Sequence, residues 1–514
     1  MNQGVNKKRL PLRSSSYWRE DRTAKRFPKL EENIEADIAV IGGGMTGILT
    51  TYMLAREGKD VVLLEGTSLL DGTTGFTTAK ITAQHDAMYN QLIKTQGIKQ
   101  ARLYYDAQME AMHEIEKLIK RHDIDCGYKQ QDAILNAGTD RGKELLAEEK
   151  SAYDRLGIDN QMTDRTTLPF HTERALIMKN QAHFHPVKFL QAIIEEIEKL
   201  GGTIYEGTTA LSTEDRSNGA IVKTKDEFEV HCNHVVMATH FPFDDKKGFY
   251  FSRLHPSRSY TLAVKTKIEV PDGMYLGIDQ PSFSLRHAET GGEKVAIFGG
   301  EGHKTGKSTD TLQHFENLLR FVDEYFGVRE ILYRWSAQDM STPDGLPFIG
   351  QSVIGRPNVL TATGYKKWGM TNSMAAATLL RDLATGRENR YKELFDPTRT
   401  HLKKEAGKTI LKELADDGTQ MVRSHLKRKE KHVDEVKNGE GAIVSIKGKR
   451  AGAYRDEQGE LHLVDPTCTH MKCGVEWNNG EKSWDCPCHG SRFSCTGEVI
   501  EGPAAKPLKR VDKR

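Results

Sequence analysis

The sequence ADIAVIGGGMTGILTTYMLAREGKDVVLLE, residues 36–65, decides the fold of the first part of the chain. It begins with a β-branched apolar run that ends at Ile41, which is typical of a buried parallel strand. Three glycines follow, then a helical pattern through Leu54 and Ala55, and a second apolar run at 61–64. A strand, a glycine turn, a helix and a second strand within about 30 residues predict a Rossmann-type, doubly wound α/β domain.

The glycines of this stretch have the spacing of a dinucleotide-binding site. Gly42 permits the tight turn, Gly44 lets a pyrophosphate approach the backbone and the helix N-terminus, and Gly47 lets the helix pack on the strand. Glu65, eighteen residues after Gly47, would accept hydrogen bonds from ribose hydroxyls. We predict a dinucleotide site rather than a purely structural turn, although this motif does not choose between FAD and NAD. Its predicted cofactor-binding residues are Gly42, Gly44, Met45, Thr46, Gly47 and Glu65.

Later segments resemble the FAD-dependent amine and D-amino-acid oxidase superfamily, which includes glycine oxidase and sarcosine oxidase. These segments are 72–85 (GTTGFTTAKITAQH), 235–242 (VVMATHFP), 344–350 (DGLPFIG) and 358–371 (NVLTATGYKKWGMT). The resemblance covers about residues 34–390 and implies FAD as cofactor, with an antiparallel α+β substrate domain beside the FAD-binding domain. It also implies that a helix over 373–384 points its N-terminus at the flavin, where it would stabilise the reduced anion. The further FAD-binding residues implied are Thr77, Thr78, Gly364, Trp368, Gly369, Met370 and Thr371.

A second informative stretch lies near the C-terminus: CTHMKCGVEWNNGEKSWDCPCHG, residues 468–490. Cys468 and His470 form a Cys-x-His pair, and Cys486 and His489 form a Cys-x-x-His pair. A Rieske-type [2Fe–2S] cluster needs two such loops, with both Cys on one iron and both His on the other. Zinc accepts the same ligand set and is the alternative, but zinc fingers place both Cys before both His. We therefore predict that these four residues are cluster ligands.

This second stretch resembles the Rieske iron–sulfur domain family. The resemblance implies a small all-β domain, a disulfide between Cys473 and Cys488 that links the cluster loops, and a serine, Ser491, that hydrogen-bonds a bridging sulfide. Where disulfide-bearing members often have a Tyr hydroxyl pointing at a ligand sulfur, this chain has Phe493. One hydrogen bond fewer to sulfur stabilises the reduced cluster less, so we expect a reduction potential below about +250 mV.

The composition is that of an ordinary globular protein. The 514 residues include 28% charged side chains and carry a formal net charge of +2, which gives no reason to expect a nucleic acid as partner. No apolar run approaches the roughly eighteen residues of a membrane helix, and the N-terminus lacks the apolar segment of a secretory signal. Seven cysteines in this length do not form a disulfide framework. We expect a cytoplasmic protein without a transmembrane segment.

The patterns divide the chain into four regions. An extended, polar N-terminal extension (1–33) precedes the FAD-dependent oxidoreductase region (34–390). A helical linker rich in Lys and Glu (391–435) leads to the Rieske domain (436–514). Helices are predicted within 87–122 and over 186–200 and 311–326, and strands over 204–211, 220–224, 227–231, 260–266, 295–298, 442–446, 450–454 and 461–464.

A flavin and a one-electron cluster on one chain imply that the two cofactors have different roles in electron transfer. The flavin takes an electron pair from a substrate, whereas the cluster carries single electrons. We predict an FAD-dependent dehydrogenase that oxidises a small amine- or amino-acid-like molecule and passes electrons through its Rieske cluster to an external acceptor, either a protein or quinone-like. An NAD(P)H-fed electron-transfer reductase is the alternative, but no second nucleotide-binding motif is clear. A Rieske oxygenase is less favoured, because no motif for a mononuclear iron site is clear.

One departure from the family pattern bears on the substrate. Members that bind an amino-acid carboxylate often carry an Arg in a Gly-x-Arg-Pro run, whereas this chain has AQDM at 337–340. Asp339 in that position would repel an anionic group, so a cationic or neutral substrate is favoured. Arg258, Arg286 or Arg334 could supply a carboxylate clamp instead. No catalytic residue is singled out, because these flavoenzymes need little beyond a deprotonated amine and its orientation.

Overall fold

Four sheets organise the chain. The computed structural model describes residues 9–20, 25–290, 292–308, 310–399 and 431–511. These residues form an eight-stranded sheet, a nine-stranded sheet and two small antiparallel sheets. The predicted combination of a doubly wound α/β domain, an antiparallel α+β domain and a small all-β domain is confirmed.

The first sheet is the doubly wound one. Its strands are β1 (Ile34–Ile41), β2 (Val61–Leu64), β7 (Thr203–Tyr205), β8 (Ala210–Arg216), β9 (Gly219–Thr224), β10 (Glu229–Met237), β16 (Phe348–Gln351) and β17 (Val359–Thr363). The order β16–β17–β10–β1–β2–β7 places β1 inside the sheet, where it pairs in parallel with both β2 and β10. Helix α1 (Met45–Arg56) packs on α5 (Pro186–Lys199) and α8 (Gly369–Ala384).

Continuous apolar runs explain why these strands are central. Ile38 and Val40 contribute to one hydrophobic core, and Ala39 and Ile41 contribute to the core on the opposite face. A strand that is buried on both faces needs apolar residues at every position, and β2 is likewise fully buried.

The second sheet is mostly antiparallel. Its strands are β3 (Lys80–Ile81), β4 (Lys129–Ala137), β5 (Gln161–Thr163), β6 (Arg174–His183), β11 (His255–Thr266), β12 (Met274–Gly277), β13 (Phe283–Thr290), β14 (Glu293–Lys304) and β15 (Val328–Ser341). The pair β4–β12 is parallel. The associated helices are α2 (Tyr89–Gln96), α3 (Ile98–Arg121), α4 (Asp140–Leu156) and α7 (Leu312–Phe326).

The C-terminal domain contains the two small sheets. One consists of β18 (Gly441–Ile446), β19 (Lys449–Arg455) and β20 (Leu461–Val464). The other consists of β21 (Glu476–Asn478), β22 (Ser483–Asp485), β23 (Arg492–Ser494) and β24 (Val499–Glu501). Two short helices, α6 (Asp245–Gly248) and α9 (Lys392–Phe395), belong to the oxidoreductase part.

Two predicted elements need correction. The strand predicted over 204–211 is divided into β7 and β8, because the chain turns at Gly207, whose φ is +63°. The helix predicted over 373–384 begins at Gly369, after a turn in which Lys366 and Lys367 both have positive φ. The amphipathic linker segments predicted between 400 and 430 lie outside the described residues.

The N-terminal extension also differs from its prediction. It was expected to be extended and polar, yet Tyr17 and Trp18 form a short 3-10 turn and are buried. Ser15 pairs with Arg334 at the edge of the second sheet. An aromatic pair in a polar segment gains stability by burial, which is why this segment packs on the domain instead of extending from it.

Candidate functional site

The glycines of the first motif are required by close backbone packing. Gly42 has a φ of +112°, and a Cβ on it would lie 2.5 Å from the carbonyl oxygen of Ala238. A Cβ on Gly47 would lie 1.8 Å from the carbonyl oxygen of Gly42. Gly44 is the N-cap of α1 and, being a glycine, offers no side chain to cap the helix. The turn therefore has the backbone surface that a pyrophosphate needs.

Glu65 lies against this turn. Its carboxylate accepts hydrogen bonds from the backbone N–H groups of Gly43 at 2.7 Å and Thr67 at 2.8 Å. Burial raises the pKa of Glu65. The hydroxyl of Thr74 accepts a hydrogen bond from the N–H of Met45 at 3.0 Å, so the segment after β2 reaches the N-terminus of α1. The structure thus brings together the residues predicted for the nucleotide end of FAD.

The residues predicted near the flavin lie on segments that meet at α8. Thr46 lies within hydrogen-bonding distance of the Tyr365 hydroxyl, at 3.0 Å, and of the Ser373 hydroxyl, at 2.9 Å. Gly364 has a φ of +80°, and a Cβ on it would lie 2.5 Å from Cγ2 of Thr342. Trp368 is the N-cap of α8, and Gly369, Met370 and Thr371 form its first turn. The glycine turn and the 364–371 turn are therefore parts of one site.

His85 belongs to this site but was not among the predicted residues. Its ring stacks on that of Trp368 with centroids 4.7 Å apart. Its Nδ1 lies 2.7 Å from the Tyr104 hydroxyl, and its Nε2 lies 3.1 Å from the Thr371 hydroxyl. Burial lowers the pKa of His85 to about 3, so the ring is neutral at physiological pH. Its position at the end of the 72–85 segment was the sequence signal for this role.

Trp18 was also missed by sequence reasoning. Its indole N–H donates to the carbonyl oxygen of Thr77 at 2.6 Å. The guanidinium of Arg286 donates to the carbonyl oxygen of Thr78 at 2.6 Å and lies 4.9 Å from the Trp18 ring. Both predicted threonines thus have their backbone held by neighbouring side chains. No periodic pattern marks Trp18 in the sequence.

The four predicted cluster ligands converge between the loops of the C-terminal domain. Cys468 and Cys486 are buried, and the hydrogen bond between them lowers the pKa of Cys468 and raises the pKa of Cys486. The rings of His470 and His489 lie 5.2 Å apart at 89°. Burial lowers the pKa of His489 to about 3. Two cysteines and two histidines are the ligand set of a Rieske-type cluster, so these converging side chains fit a [2Fe–2S] cluster.

The surroundings of the loops agree with this fit. Cys473 and Cys488 form a disulfide with Cα atoms 6.6 Å apart. The Ser491 hydroxyl, which accepts a hydrogen bond from the N–H of Ala504 at 3.0 Å, lies close enough to Cys468 to lower its pKa. Phe493 is fully buried in the core beside the cluster loops.

The orientation of His470 is fixed by the oxidoreductase part of the chain. Its Nε2 lies 2.9 Å from Oδ2 of Asp245 in α6, and both side chains are almost completely buried, at 6% and 5% exposure. Its Nδ1 has no hydrogen-bond partner among the described residues. A carboxylate that accepts the Nε2 proton leaves the Nδ1 lone pair for a metal, as in carboxylate–histidine–metal arrangements.

Aromatic rings enclose the two imidazoles, which we call the histidine edge (His470 and His489). The Phe251 ring lies 6.4 Å from the His470 ring and 5.7 Å from the His489 ring. Phe241 lies 6.5 Å from His470. Both phenylalanines belong to the segment after β10, so the oxidoreductase part covers the histidine edge.

Further polar contacts join the two parts of the chain. The Gln338 amide donates to the carbonyl oxygen of Gly490 at 2.9 Å. The Thr311 hydroxyl donates to the side-chain oxygen of Asn478 at 2.5 Å. A Cβ on Gly306 would lie 2.6 Å from Cα of Pro487, which shows how closely the backbones approach.

The three arginines considered as carboxylate clamps are all held by the protein. Arg258 donates to the Ser336 hydroxyl and pairs with Glu501 at 3.4 Å. Arg334 donates to the carbonyl oxygens of Pro11, Leu12 and Gly480. Arg286 donates to the carbonyl oxygens of Thr78, Phe184 and His287 and contacts His183.

Asp339, at the position of the missing arginine, is buried beside Lys367. Its carboxylate accepts a hydrogen bond from the N–H of Met340 at 2.8 Å. Burial raises the pKa of Asp339 and lowers the pKa of Lys367. The ammonium group of Lys367 partly offsets the cost of burying the Asp339 carboxylate.

Comparison with protein families agrees with this geometry. Residues 37–383 match the family model described as FAD dependent oxidoreductase, DAO. The chain belongs to this family. Residues 428–512 match the Rieske [2Fe-2S] domain. The DAO oxidoreductase is therefore a flavoprotein with a fused Rieske domain, and its cofactors are FAD and a [2Fe–2S] cluster.

Similar proteins include one that matches almost the whole chain. The putative Rieske 2Fe-2S iron-sulfur protein YhfW of Bacillus subtilis is 45% identical, over 97% of both chains. Gamma-glutamylputrescine oxidoreductase of Escherichia coli is 24% identical over 71% of this chain and 87% of its own. The structure of glycine oxidase from Geobacillus kaustophilus matches with a TM-score of 0.59 and 18% identity. The match covers 71% of the present chain and 99% of the glycine oxidase chain. This last likeness shows the fold alone.

No described helix of the DAO oxidoreductase is long and apolar enough to cross a membrane. Its disulfide, its two cofactors and its oxidoreductase class agree with the sequence predictions. The assignment of individual cofactor-binding residues remains a prediction that the geometry described above supports.

Proposed function

We propose that this protein is an FAD-dependent dehydrogenase that oxidises a small amine- or amino-acid-like substrate and passes electrons singly through its own Rieske cluster to an external acceptor. The observation that carries the proposal is the direct contact of the cluster loops with the oxidoreductase part, centred on Asp245 and His470. When bound, FAD accepts an electron pair from the substrate and the [2Fe–2S] cluster accepts one electron.

One short segment connects the two cofactor sites. It begins at Ala238, whose N–H donates to the carbonyl oxygen of Ile41 at 2.8 Å, next to the glycine turn. It continues through Phe241 and Asp245 to Phe251, all at or near His470. These side chains exclude water from the histidine edge and hold the His470 ring in place. The segment therefore supports electron transfer within one chain.

The charges near the substrate side favour an amine over an amino-acid carboxylate. All three candidate arginines are occupied by protein acceptors, and Asp339 replaces the expected arginine. An anionic group would meet a buried carboxylate, whereas an amine would be attracted to it. The Escherichia coli relative is named for gamma-glutamylputrescine, which also agrees with an amine substrate.

The test is anaerobic mixing of the purified protein with a panel of amines and amino acids. We expect an amine to bleach the flavin absorption, followed by the EPR signal of the reduced cluster. A matched variant, Cys486→Ser, should still show flavin bleaching but no cluster signal. A cluster that stays oxidised after the flavin is reduced would refute the proposal. Rapid bleaching by NADH instead of amines would favour the reductase alternative.

The substrate charge is tested by Asp339→Asn. We expect the KM for a cationic amine to rise about tenfold or more, because one charge interaction of about 1.4 kcal/mol is lost. The rate with a neutral substrate should change less. Ser341→Ala, at the end of the same strand, serves as the control. An equal rise in KM for charged and neutral substrates would mean that Asp339 has only a structural role.

A further inference from the structure

The external acceptor must approach the cluster from a side that the oxidoreductase part leaves open. The histidine edge is closed by Asp245, Phe241 and Phe251, and the His470 side chain is only 6% exposed. An acceptor cannot contact either imidazole while these residues are in place. Electrons must therefore leave through the other loop surfaces around the cluster.

Four segments meet at these surfaces. Loop 486–491 is tied to loop 469–473 by the Cys473–Cys488 disulfide. Segment 502–509 contacts both loops, because the Thr469 hydroxyl donates to the carbonyl oxygen of Lys506 at 2.6 Å and the Ala504 N–H donates to Ser491. Segment 302–308 of the oxidoreductase part packs on the second loop through Gly306.

Three of these four segments contain lysines, and none of the four contains Asp or Glu. We call their lysines the basic rim: Lys304, Lys307, Lys472, Lys506 and Lys509. The last four are exposed. The chain as a whole has a net charge of only +2, so this local excess of positive charge is not a consequence of composition.

An apolar side chain lies within the rim. Met471, beside Lys472 at the tip of the first cluster loop, is 41% exposed. A methionine surrounded by charged residues is typical of protein interfaces, where an apolar centre is enclosed by a polar border.

We propose that the basic rim binds an acidic one-electron carrier protein, which is the external acceptor. This inference rests on the proposed function and names its partner. Two carrier molecules take, one electron each, the pair removed from one substrate molecule, and no bond forms or breaks in this step. A positive rim steers a negative partner and raises its association rate, and Met471 supplies the apolar contact. A membrane surface is less favoured, because the described rim contributes one exposed large apolar side chain rather than an amphipathic helix.

The experiment compares wild type with the double variant K472E/K506E. The probes are plastocyanin as an acidic carrier and cytochrome c as a basic one. Binding of the oxidised carriers is measured by calorimetry, in which no electrons move, and carrier reduction is measured by stopped flow at low and high salt. The control, K59E/K225E, changes two exposed lysines outside the basic rim.

We expect wild type to bind plastocyanin and to reduce it at least tenfold faster than K472E/K506E at low salt, with a smaller difference at high salt. Cytochrome c should be reduced more slowly by wild type than by K472E/K506E at low salt. Flavin-to-cluster transfer should be unchanged, which separates this proposal from failure of the proposed function. The proposal is overturned if K472E/K506E and K59E/K225E behave alike, if wild type prefers cytochrome c, or if the rim binds anionic lipid vesicles but not plastocyanin.

Discussion

Oδ2 of Asp245 lies 2.9 Å from Nε2 of His470, although the two residues are 225 positions apart in the chain. This contact joins the first helix after β10 to a cluster loop of the Rieske domain. A ligand side chain of one cofactor site is thus oriented by the domain that holds the other cofactor. The charge and the geometry of Asp245 can be tested separately.

Replacement of Asp245 should change the cluster without removing it. Asp245→Asn keeps a hydrogen-bond acceptor but loses a negative charge, so we expect the reduction potential of the cluster to rise. Asp245→Ala also loses the acceptor, and flavin-to-cluster transfer should slow on the order of tenfold. Redox titration followed by EPR and anaerobic stopped flow measure the two effects. Asp244→Asn is the control, because Asp244 pairs with Arg356 at 3.2 Å instead of with His470. An equal rise of the cluster's reduction potential in Asp244→Asn would contradict this role of Asp245.

The disulfide should stabilise the Rieske domain selectively. It closes a loop of 15 residues, for which chain entropy gives about 3 kcal/mol. In the double variant Cys473→Ser/Cys488→Ser, we expect the visible circular dichroism of the cluster to be lost at lower temperature, with FAD release unchanged. Cys495→Ser, a cysteine of the same domain outside the disulfide, should behave as wild type. Parallel loss of both cofactors would argue against a local effect.

Gly47 should be essential for FAD but not for the cluster. In Gly47→Ala the new Cβ would lie 1.8 Å from a backbone oxygen, so α1 cannot pack on β1. We expect protein with the Rieske absorption but little or no flavin. Gly72→Ala is the control, because Gly72 has a φ of −84° and its Cβ would have no neighbour within 4 Å. Full flavin content in Gly47→Ala would show that the helix can move.

His85 should make the FAD site sensitive to acid. Burial lowers its pKa from 6.5 to about 3, so between these values the unfolded chain binds a proton that the folded protein does not. Stability is therefore lost as the pH falls below about 6.5, by about 1.4 kcal/mol per unit down to pH 3. We expect His85→Gln to be less stable than wild type at pH 7 but to lose less stability at pH 4.5. Denaturant titrations followed by flavin fluorescence measure this difference.

The control for His85 is His171→Gln, because the His171 side chain is 73% exposed. This variant should retain the acid sensitivity of wild type. If His85→Gln and wild type lost stability in parallel between pH 7 and 4.5, another group would have to account for the acid response.

Local motifs explain what could be predicted from the sequence. The strand–glycine–helix unit at 36–65 and the two cluster loops need only short-range spacing, and both are found where the sequence indicates. The strands β4 to β6 were missed because their apolar residues lack a clear alternation over the 129–183 region. The turn at Gly207 was missed because the threonines that follow it, Thr208 and Thr209, are β-branched and also favour a strand.

Long-range contacts explain what could not be predicted. Asp245, Trp18 and His85 contact their partners only after the chain has folded, and for Asp245 and Trp18 nothing in their immediate neighbours indicates those contacts. The sequence also does not show that Arg258, Arg286 and Arg334 donate to acceptors of the protein itself. A buried structural arginine and a substrate-binding arginine have the same local sequence signal.

The buried position of Trp18 has a consequence for biosynthesis. The Ser14 hydroxyl donates to the carbonyl oxygen of Arg334, 320 residues later, and the Trp18 ring lies over Arg286. A ribosome adds about 5–20 residues per second, so residues 14–18 wait roughly 15–60 s before their docking surface has been translated. Nascent chains therefore expose this tryptophan throughout most of translation. Its docking is among the last steps in the folding of the oxidoreductase part.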